Sequence, residues 1–182
     1  EAPLSSGVVT IGAIAKGAGM IAPNMATMLC FITTDAAVAP ANLQALLQQA
    51  VSNSFNCICV DNDMSTNDTV LCLANGASGV ALFPGSPDYR QFGEALTKLC
   101  TALAQALVRD GEGATKFIEI VVTGAADNAE ARIIAGSIAK SQLCKTAFYG
   151  QDANWGRIVC AAGYSGAKFD PGALNLHIQG IH

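Results

Sequence analysis

The fold is limited most by residues 27–34, which read TMLCFITT and form a near-continuous apolar run. A run of this kind is typical of a strand that is buried on both faces, with further layers of structure on each side. A second run, Val8–Ala15, is β-branched and apolar and predicts another strand, which enters a turn at Gly17 and Gly19. The chain is therefore expected to form a layered domain.

Helices are predicted wherever apolar residues recur at spacings of three and four. Pro40 opens one helix whose apolar stripe consists of Leu43, Leu46, Leu47, Ala50, Val51 and Phe55. Asp88 is expected to N-cap a long second helix, and Asp127 with Glu130 fits a capping box for a third helix through Lys140. A further helix is expected from Trp155.

Short strands are expected at residues 58–60, 117–123 and 174–178, and residues 69–74 fit either a helix or a strand. Residues 75–87 and 150–154 are expected to be loops. Because helices and strands interleave and hairpin-like pairs also occur, the predicted fold class is α+β.

Composition excludes several classes of protein. Charged residues make up 13% of the chain, against a typical quarter, so part of the apolar surface is expected to be covered by missing chain or by another subunit. The net charge is −4 and the ten basic residues are scattered, which argues against nucleic-acid binding. No apolar run approaches the length of a membrane span. Since the chain starts with Glu1 and stops abruptly, we expect an excised segment.

The seven cysteines are odd in number and most lie in apolar runs, so they are expected to be reduced core residues in a cytosol-like compartment. Cys57 and Cys59 have the wrong spacing for a zinc motif, and the histidines stand only at positions 177 and 182. A structural metal and a catalytic Ser-His-Asp arrangement are therefore not expected.

Thr27 is the candidate nucleophile, because it follows the small residue Ala26 where a tight polar loop meets a strand. A threonine hydroxyl needs a base, and an α-amino group on the same residue has an ordinary pKa of about 7.7–8.0. Such an amine exists only if the bond before Thr27 is cut, by attack of the hydroxyl on the Ala26 carbonyl and hydrolysis of the resulting ester. Asn24 could donate to the developing oxyanion. The alternative is an ordinary strand-edge threonine.

Two glycine-containing segments carry charges that could bind a substrate. Lys16-Gly17-Ala18-Gly19 could bring a cation and backbone N–H groups to a carboxylate, or it is simply a turn with a solvated lysine. Glu112, in the turn 109–116, could orient a catalytic amine or bind a substrate ammonium group. The alternative for that segment is a polar β-turn.

Two other polar segments are interpreted as structural. Residues 61–68, DNDMSTND, resemble a calcium loop at three positions, but Thr66 and Cys72 stand where glycine and glutamate are required. We expect a loop tied by side-chain bonds to its own backbone. At residues 150–157, Asp152 or Asn154 is expected to be an N-cap, with Trp155 as an apolar plug.

Four segments together resemble the ornithine acetyltransferase family, also called glutamate N-acetyltransferase. They are KGAGMIAPNMATMLCFITTD from Lys16, DNDMSTNDTV from Asp61, RDGEGATKF from Arg109 and GQDANWGRI from Gly150. The resemblance covers essentially the whole chain. It implies a four-layer αββα sandwich that is similar to the N-terminal-nucleophile hydrolases in architecture but differs from them in topology.

The resemblance also implies processing and roles for particular residues. Self-cleavage between Ala26 and Thr27 would make residues 1–26 the C-terminal end of an α chain. Residues 27–182 would be the N-terminal part of a β chain, and both would belong to a fragment of one larger domain. The α and β chains would associate, commonly as a heterotetramer. Thr27 matches the nucleophile, Lys16 a substrate-contacting lysine, and Glu112 a glutamate near the threonine amine and the substrate.

The implied reaction is ping-pong acetyl transfer in arginine biosynthesis, in the cytoplasm. N-acetylornithine would acetylate Thr27, ornithine would leave, and glutamate would take the acetyl group. Neither a metal nor an organic cofactor is implied, and acetyl-CoA would be a co-substrate only of a bifunctional enzyme. The oxyanion-hole pair and further substrate contacts of the family lie outside this segment. The alternatives are a DmpA-type aminopeptidase or amidase on the same fold, and a calcium-dependent binding module.

Overall fold

The computed structural model describes residues 1–22, 25–26 and 28–181, with only the backbone described at residues 25 and 26. The chain divides into two units, Glu1–Ala114 and Thr115–His182. The predicted nucleophile Thr27 and the predicted oxyanion donor Asn24 lie outside the described residues.

The first unit contains strands and two long helices. Its strands are β1 (Ala2–Leu4), β2 (Gly7–Val9), β3 (Ile11–Lys16), β4 (Ile21–Ala22), β5 (Met25–Ala26), β6 (Leu29–Thr34), β7 (Ala37–Val38), β8 (Thr69–Ala74) and β9 (Ala81–Leu82). Its helices are α1 (Pro40–Ser52) and α2 (Pro87–Arg109), with a 3₁₀ turn at Phe55–Cys57.

The main sheet of this unit has the order β3–β6–β8, with β3 antiparallel and β8 parallel to β6. Its register aligns Lys16 with Leu29 and Leu29 with Thr69. The end of β3 therefore lies level with the starts of β6 and β8. The predicted strand Val8–Ala15 is divided between β2 and β3, and residues 69–74 are a strand rather than a helix.

One face of the main sheet is covered by helices α1 and α2. The core on that side includes Cys30 and Ile32 of β6 together with Leu46, Ala50, Phe92, Leu96 and Cys100 of the helices. Side chains on the opposite face are exposed in this chain, among them Ile14, Phe31 and Leu71. The expectation that residues 27–34 are buried on both faces is therefore wrong for the described strand, whose residues alternate between buried and exposed.

Helix α1 begins at Pro40 as predicted, but it ends at Ser52, so Phe55 lies in the following 3₁₀ turn and not on the helix. The predicted start of α2 is wrong. Ser86 is the N-cap and accepts a hydrogen bond from the Tyr89 N–H, with Pro87 at the first helical position. Asp88 lies in the first turn, where its buried carboxylate accepts hydrogen bonds from Ser5 and Ser6. Residues 58–60 do not form the predicted strand. They follow the 3₁₀ turn, and the Val60 N–H donates to the Ile21 carbonyl instead.

The second unit packs helices α3 (Asn128–Lys140), α4 (Gln142–Tyr149) and α5 (Trp155–Gly163) around a small core. That core consists of Ile138, Cys144, Ile158, Ala161 and Ala162. Asp127 caps α3 by accepting from the Glu130 N–H, and Asn154 caps α5 by accepting from the Arg157 N–H. Both predicted caps are confirmed.

Three other expectations for the second unit are wrong. Residues 117–123 and 174–178 are not strands in the described structure, because their alternating apolar residues have no ladder partner beyond one bridge between Ile178 and Ile181. Trp155 is 68% exposed, so it is not a plug. Period-two alternation alone does not make a strand, since a strand also needs a neighbour to bond.

All seven cysteines are free thiols. Cys30, Cys100 and Cys144 are buried as expected, but Cys57 and Cys160 are exposed and so do not belong to a core. Among the described residues, no helix is both long and apolar enough to cross a membrane.

Candidate functional site

The loop that follows β3 is held in place by Asp61. The N–H groups of Met20 and Ile21 donate to its carboxylate over 2.6 and 3.0 Å. The N–H of Asp63 also donates to it, over 3.1 Å, which confirms the expected self-bonded loop at residues 61–68. Two residues of the bound loop, Gly17 and Met20, have positive φ angles of 155° and 51°, so the chain turns sharply there.

Asp61 also anchors the backbone beside the predicted cleavage site. Strands β4 and β5 form an antiparallel pair in which Ile21 lies opposite Ala26. Because Asp61 binds the Ile21 N–H and the N–H of Val60 donates to the Ile21 carbonyl over 2.7 Å, this hairpin is tied to the loop 61–68. The segment that ends at Ala26 is thereby anchored through Ile21, on the N-terminal side of the predicted cut.

Glu112 contacts the loop that follows β3 at Ala18 and Gly19. Its N–H donates to the Ala18 carbonyl over 2.8 Å. A Cβ built on Gly19 would lie 3.1 Å from the carboxyl carbon of Glu112 and from its Oε2. The Glu112 side chain is exposed. The turn 109–113 therefore presents an accessible carboxylate beside the loop.

Lys16 is the last residue of β3 and is exposed at the edge of the same loop. Only Gly17 separates it from Ala18, the residue whose carbonyl binds the Glu112 backbone. The structure therefore brings Glu112, which is far from Lys16 in sequence, against the short loop that begins directly after Lys16. A cation and a carboxylate placed in this way suit a ligand that carries both an anionic and a cationic group.

Asp68 was not singled out from the sequence as a site residue, yet it contacts the start of β6. Its Oδ1 accepts from the Met28 N–H over 2.9 Å, and the Thr69 N–H donates to the Met28 carbonyl over 3.1 Å. Burial raises the pKa of Asp68, while the Met28 N–H and the nearby Lys16 cation act in the opposite direction. In the sequence, Asp68 is the last residue of DNDMSTND, a segment that predicts only a loop bonded to its own backbone.

Glu112 contacts the loop that follows Lys16, whereas Thr27 and the side chain of Ala26 lie outside the described residues. Within the described ranges, no three or more His, Cys, Asp or Glu side chains converge as metal ligands.

Comparison with known proteins places this fold in a class. A crystal structure of an arginine biosynthesis bifunctional protein ArgJ from Bacillus halodurans matches with a TM-score of 0.73 and 49% identity, over 76% of this chain and 65% of that one. The chain thus has the α+β fold predicted for it, of the N-terminal-nucleophile type. A sequence model of the ArgJ family matches residues 1–182. The chain belongs to the ArgJ family, which confirms the resemblance of its four segments.

Curated relatives from two different organisms carry the same ArgJ name. The chain is 55% identical over 95% of its length to an arginine biosynthesis bifunctional protein ArgJ of Symbiobacterium thermophilum, covering 43% of that protein. It is 57% identical over 90% of its length to a mitochondrial protein of the same name from Podospora anserina, covering 35% of it. The chain therefore spans about two fifths of the length of such relatives.

Proposed function

We propose that this chain is the central part of a glutamate N-acetyltransferase that moves an acetyl group from N-acetylornithine to glutamate. The observation that carries the proposal is that Glu112 lies against Ala18 and Gly19, in the loop that begins after Lys16 and leads toward residue 27. Membership of the ArgJ family, whose relatives are named as bifunctional proteins of arginine biosynthesis, supports it. It also favours acetyl transfer over the hydrolysis of small amides by a DmpA-type enzyme.

Self-cleavage between Ala26 and Thr27 would create the nucleophile. The Thr27 hydroxyl attacks the Ala26 carbonyl, the peptide bond shifts to an ester, and water hydrolyses that ester. The products are a carboxylate on residue 26 and a free α-amine on Thr27. Because the ordinary pKa of an α-amine is about 7.7–8.0, this group can accept the proton of the hydroxyl near neutral pH.

Transfer then takes two matched steps. The Thr27 oxygen attacks the acetyl carbonyl of N-acetylornithine, the C–N bond breaks, and ornithine leaves with the proton that the Thr27 amine had taken. The amine of glutamate next attacks the acetyl ester, which yields N-acetylglutamate and restores the hydroxyl. The acetyl group travels on the enzyme, so neither a metal nor an organic cofactor is needed.

Lys16 and Glu112 select the substrates. The ammonium of Lys16 pairs with a substrate carboxylate, and the exposed carboxylate of Glu112 pairs with a substrate ammonium or with the Thr27 amine. Both N-acetylornithine and glutamate carry a carboxylate, and ornithine carries an ammonium group as it leaves. One pair of charged side chains can therefore serve both half-reactions.

The rest of the assembly is proposed on the same grounds. The α and β chains made by cleavage stay together, as a heterotetramer. In a bifunctional enzyme, acetyl-CoA is a second acetyl donor to the same threonine. The place of action is the cytoplasm, although relatives such as the Podospora anserina protein are named as mitochondrial.

The proposal is tested with the complete protein in which this chain occurs. Incubation with N-acetylornithine and no acceptor should add one acetyl group to the piece that begins at Thr27, and added glutamate should remove it as N-acetylglutamate. The matched control is Lys98→Ala, an exposed change on α2 that should leave both steps intact. Release of free acetate at the same rate with and without glutamate would instead identify a hydrolase.

A further inference from the structure

Asp61 binds two successive backbone N–H groups of the chain that leads into β4. Its Oδ2 accepts from Met20 over 2.6 Å, and its Oδ1 accepts from Ile21 over 3.0 Å. Met20 has a φ angle of 51°, a left-handed conformation that residues other than glycine rarely adopt without support from their surroundings. The two oxygens of one carboxylate therefore hold a turn that is unfavourable by itself.

The Asp61 carboxylate stands on a well-packed support. Val60, the residue before it, packs against the core of the first unit. A Cβ built on Gly111 would lie 3.1 Å from Val60 Cγ1, so the same segment contacts the turn that carries Glu112. The Asp63 N–H donates to Asp61 Oδ1 over 3.1 Å, which fixes the orientation of the carboxylate. Asp61 can therefore act as a rigid anchor for the chain that it binds.

The chain that Asp61 anchors lies beside the backbone that is proposed to be cut. Ile21 lies directly opposite Ala26 in the β4–β5 hairpin, which contains only two residue pairs. A hairpin this short is at best marginally stable alone, so its position depends on contacts from outside. The Ile21 N–H donates to Asp61 and its carbonyl accepts from the Val60 N–H over 2.7 Å. Residues 60 and 61 thus bind both backbone groups of the residue that faces Ala26.

We propose that Asp61 is a positioning residue for self-cleavage, which keeps the Ala26 backbone in place for attack on its carbonyl by holding Met20 and Ile21. This role rests on the cleavage step of the proposed function. That step breaks the C–N bond after Ala26, and an intramolecular attack of this kind is fast only when the reacting groups are held in the right geometry. The role gives DNDMSTND a part in maturation, beyond that of a loop bonded to its own backbone.

The test measures the rate of self-cleavage in the complete protein. The protein is made by cell-free translation with a short pulse of labelled amino acid, and conversion of the full-length chain to two pieces is followed during a chase. Asp61→Asn keeps the size of the side chain but replaces one acceptor oxygen with an NH₂ group. It should slow cleavage at least about tenfold, because misplacement of about 1 Å can cost 10²-fold in rate. Asp63→Asn, the same charge change at an exposed position of the same loop, should be cleaved at the wild-type rate.

Asp61→Glu separates positioning from the filling of space. It keeps both acceptor oxygens and adds one methylene, whereas asparagine keeps the volume and loses an acceptor. A role carried by the two oxygens predicts faster cleavage with glutamate than with asparagine, and a role carried by side-chain size predicts the reverse. A folded Asp61→Asn protein cleaved at the wild-type rate, or a glutamate variant no faster than the asparagine variant, would overturn the inference.

Hydroxylamine identifies the step that Asp61 affects. It cleaves the ester formed by the attack, which releases the hydroxyl group and leaves a hydroxamate on residue 26. If Asp61 positions the attack itself, Asp61→Asn should stay slower than the wild type when both are treated with hydroxylamine. Restoration of the wild-type rate would mean that Asp61 acts on hydrolysis of the ester, which contradicts the inference.

Two further results keep the test decisive. If Asp61→Asn does not fold, hydrogen exchange of the uncut Thr27→Ala protein decides, because anchored amides of Met20 and Ile21 must exchange slowly and unprotected ones refute the anchor. Acetyl transfer is assayed on the wild type. A wild type that is cleaved but transfers nothing to glutamate refutes the proposed reaction while the cleavage rates still decide the role of Asp61. A wild type that is never cleaved refutes both.

Discussion

The carboxylate of Glu112 occupies the space that a side chain on Gly19 would need. A Cβ at residue 19 would stand 3.1 Å from the carboxyl carbon and Oε2 and 3.3 Å from Oε1, closer than ordinary van der Waals contact. Unlike Gly17, Gly19 does not have a positive φ angle, so what glycine provides there is space for the carboxylate and not backbone freedom. The missing Cβ of the second glycine of KGAG thus leaves room for the Glu112 carboxylate beside the loop.

Gly19→Ala should therefore weaken substrate binding more than it weakens the fold. The Glu112 carboxylate must move by a few tenths of an ångström, and misplacement of about 1 Å can cost 10²-fold in rate. We expect KM for N-acetylornithine to rise by about five- to tenfold. Because Glu112 is exposed, the melting temperature should change little. Steady-state kinetics and thermal unfolding measure both quantities.

The control for that variant is Gly136→Ala, in helix α3, where an added Cβ meets no atom within 4 Å. It should leave the kinetics unchanged and stabilise the protein slightly, since alanine is favoured over glycine in a helix. If Gly19→Ala binds substrate as well as Gly136→Ala does, then Glu112 does not act where the structure places it.

Lys16→Ala should lower kcat/KM by about 10- to 100-fold, because a hydrogen bond to a charged group contributes about 1.5–3 kcal/mol. The loss should fall mainly on substrates that carry a carboxylate. Comparison of N-acetylornithine with its methyl ester measures this. Lys98→Ala removes an equivalent exposed charge on α2 and should behave as the wild type. An equal loss on acid and ester would show that Lys16 does not bind the carboxylate.

Asp88 should make the first unit sensitive to acid. Hydrogen bonds from Ser6 and Ser5 outweigh burial and lower the pKa of its carboxyl to about 2. The unfolded chain has an ordinary pKa of about 4, so the stabilisation is complete above that pH and is lost as pH falls from about 4 to 2. The melting temperature of Asp88→Asn should thus lie below that of the wild type at pH 6 and approach it by pH 2.

The donor side supplies a matched test of the same contact. The double change Ser5→Ala and Ser6→Ala removes the hydroxyl donors and keeps the carboxylate, so it should flatten the same part of the pH curve. A difference between wild type and Asp88→Asn that stays constant from pH 6 to pH 2 would mean that the carboxylate is not bound as described.

The cysteines should divide by reactivity. Burial raises the pKa of Cys30 to about 11 and that of Cys100 to about 12, and only the thiolate is nucleophilic. Cys57 and Cys160 are exposed. Iodoacetamide at pH 8 should therefore alkylate Cys57 and Cys160 in the native protein, and Cys30 and Cys100 only after denaturant is added. Rapid native labelling of Cys30 would contradict the packing of β6 against α2.

Local sequence signals were enough wherever the structure depends on neighbours in the chain. The three- and four-residue spacing of Leu43, Leu46 and Leu47 located α1, and the short-range bonds of Asp127 and Asn154 fixed two caps. The prediction of Asp88 as the cap of α2 was wrong for two reasons. Ser86 and Pro87 form a better helix start, and the partners of Asp88 lie more than 80 residues away.

Contacts between residues that are far apart in the chain could not be predicted from local sequence patterns. Family motifs pointed to Lys16 and Glu112, but the hydrogen bond that joins Ala18 to Glu112 follows from the fold. Asp68 was missed because its role depends on the register of β6 beside β8, which no local pattern encodes. Residues 117–123 have the alternation of a strand, yet alternation says nothing about whether a partner strand is present.

Self-cleavage is tested by the intact mass of the complete protein, wild type and Thr27→Ala, after expression and purification. Two pieces are expected for the wild type, with the second beginning at Thr27, and a single uncut chain for the variant. Thr27→Ser, which keeps a hydroxyl, should still be cut. A wild type of one intact mass, or a Thr27→Ala protein that is cut and still transfers acetyl groups to glutamate, would show that Thr27 is not the self-released nucleophile.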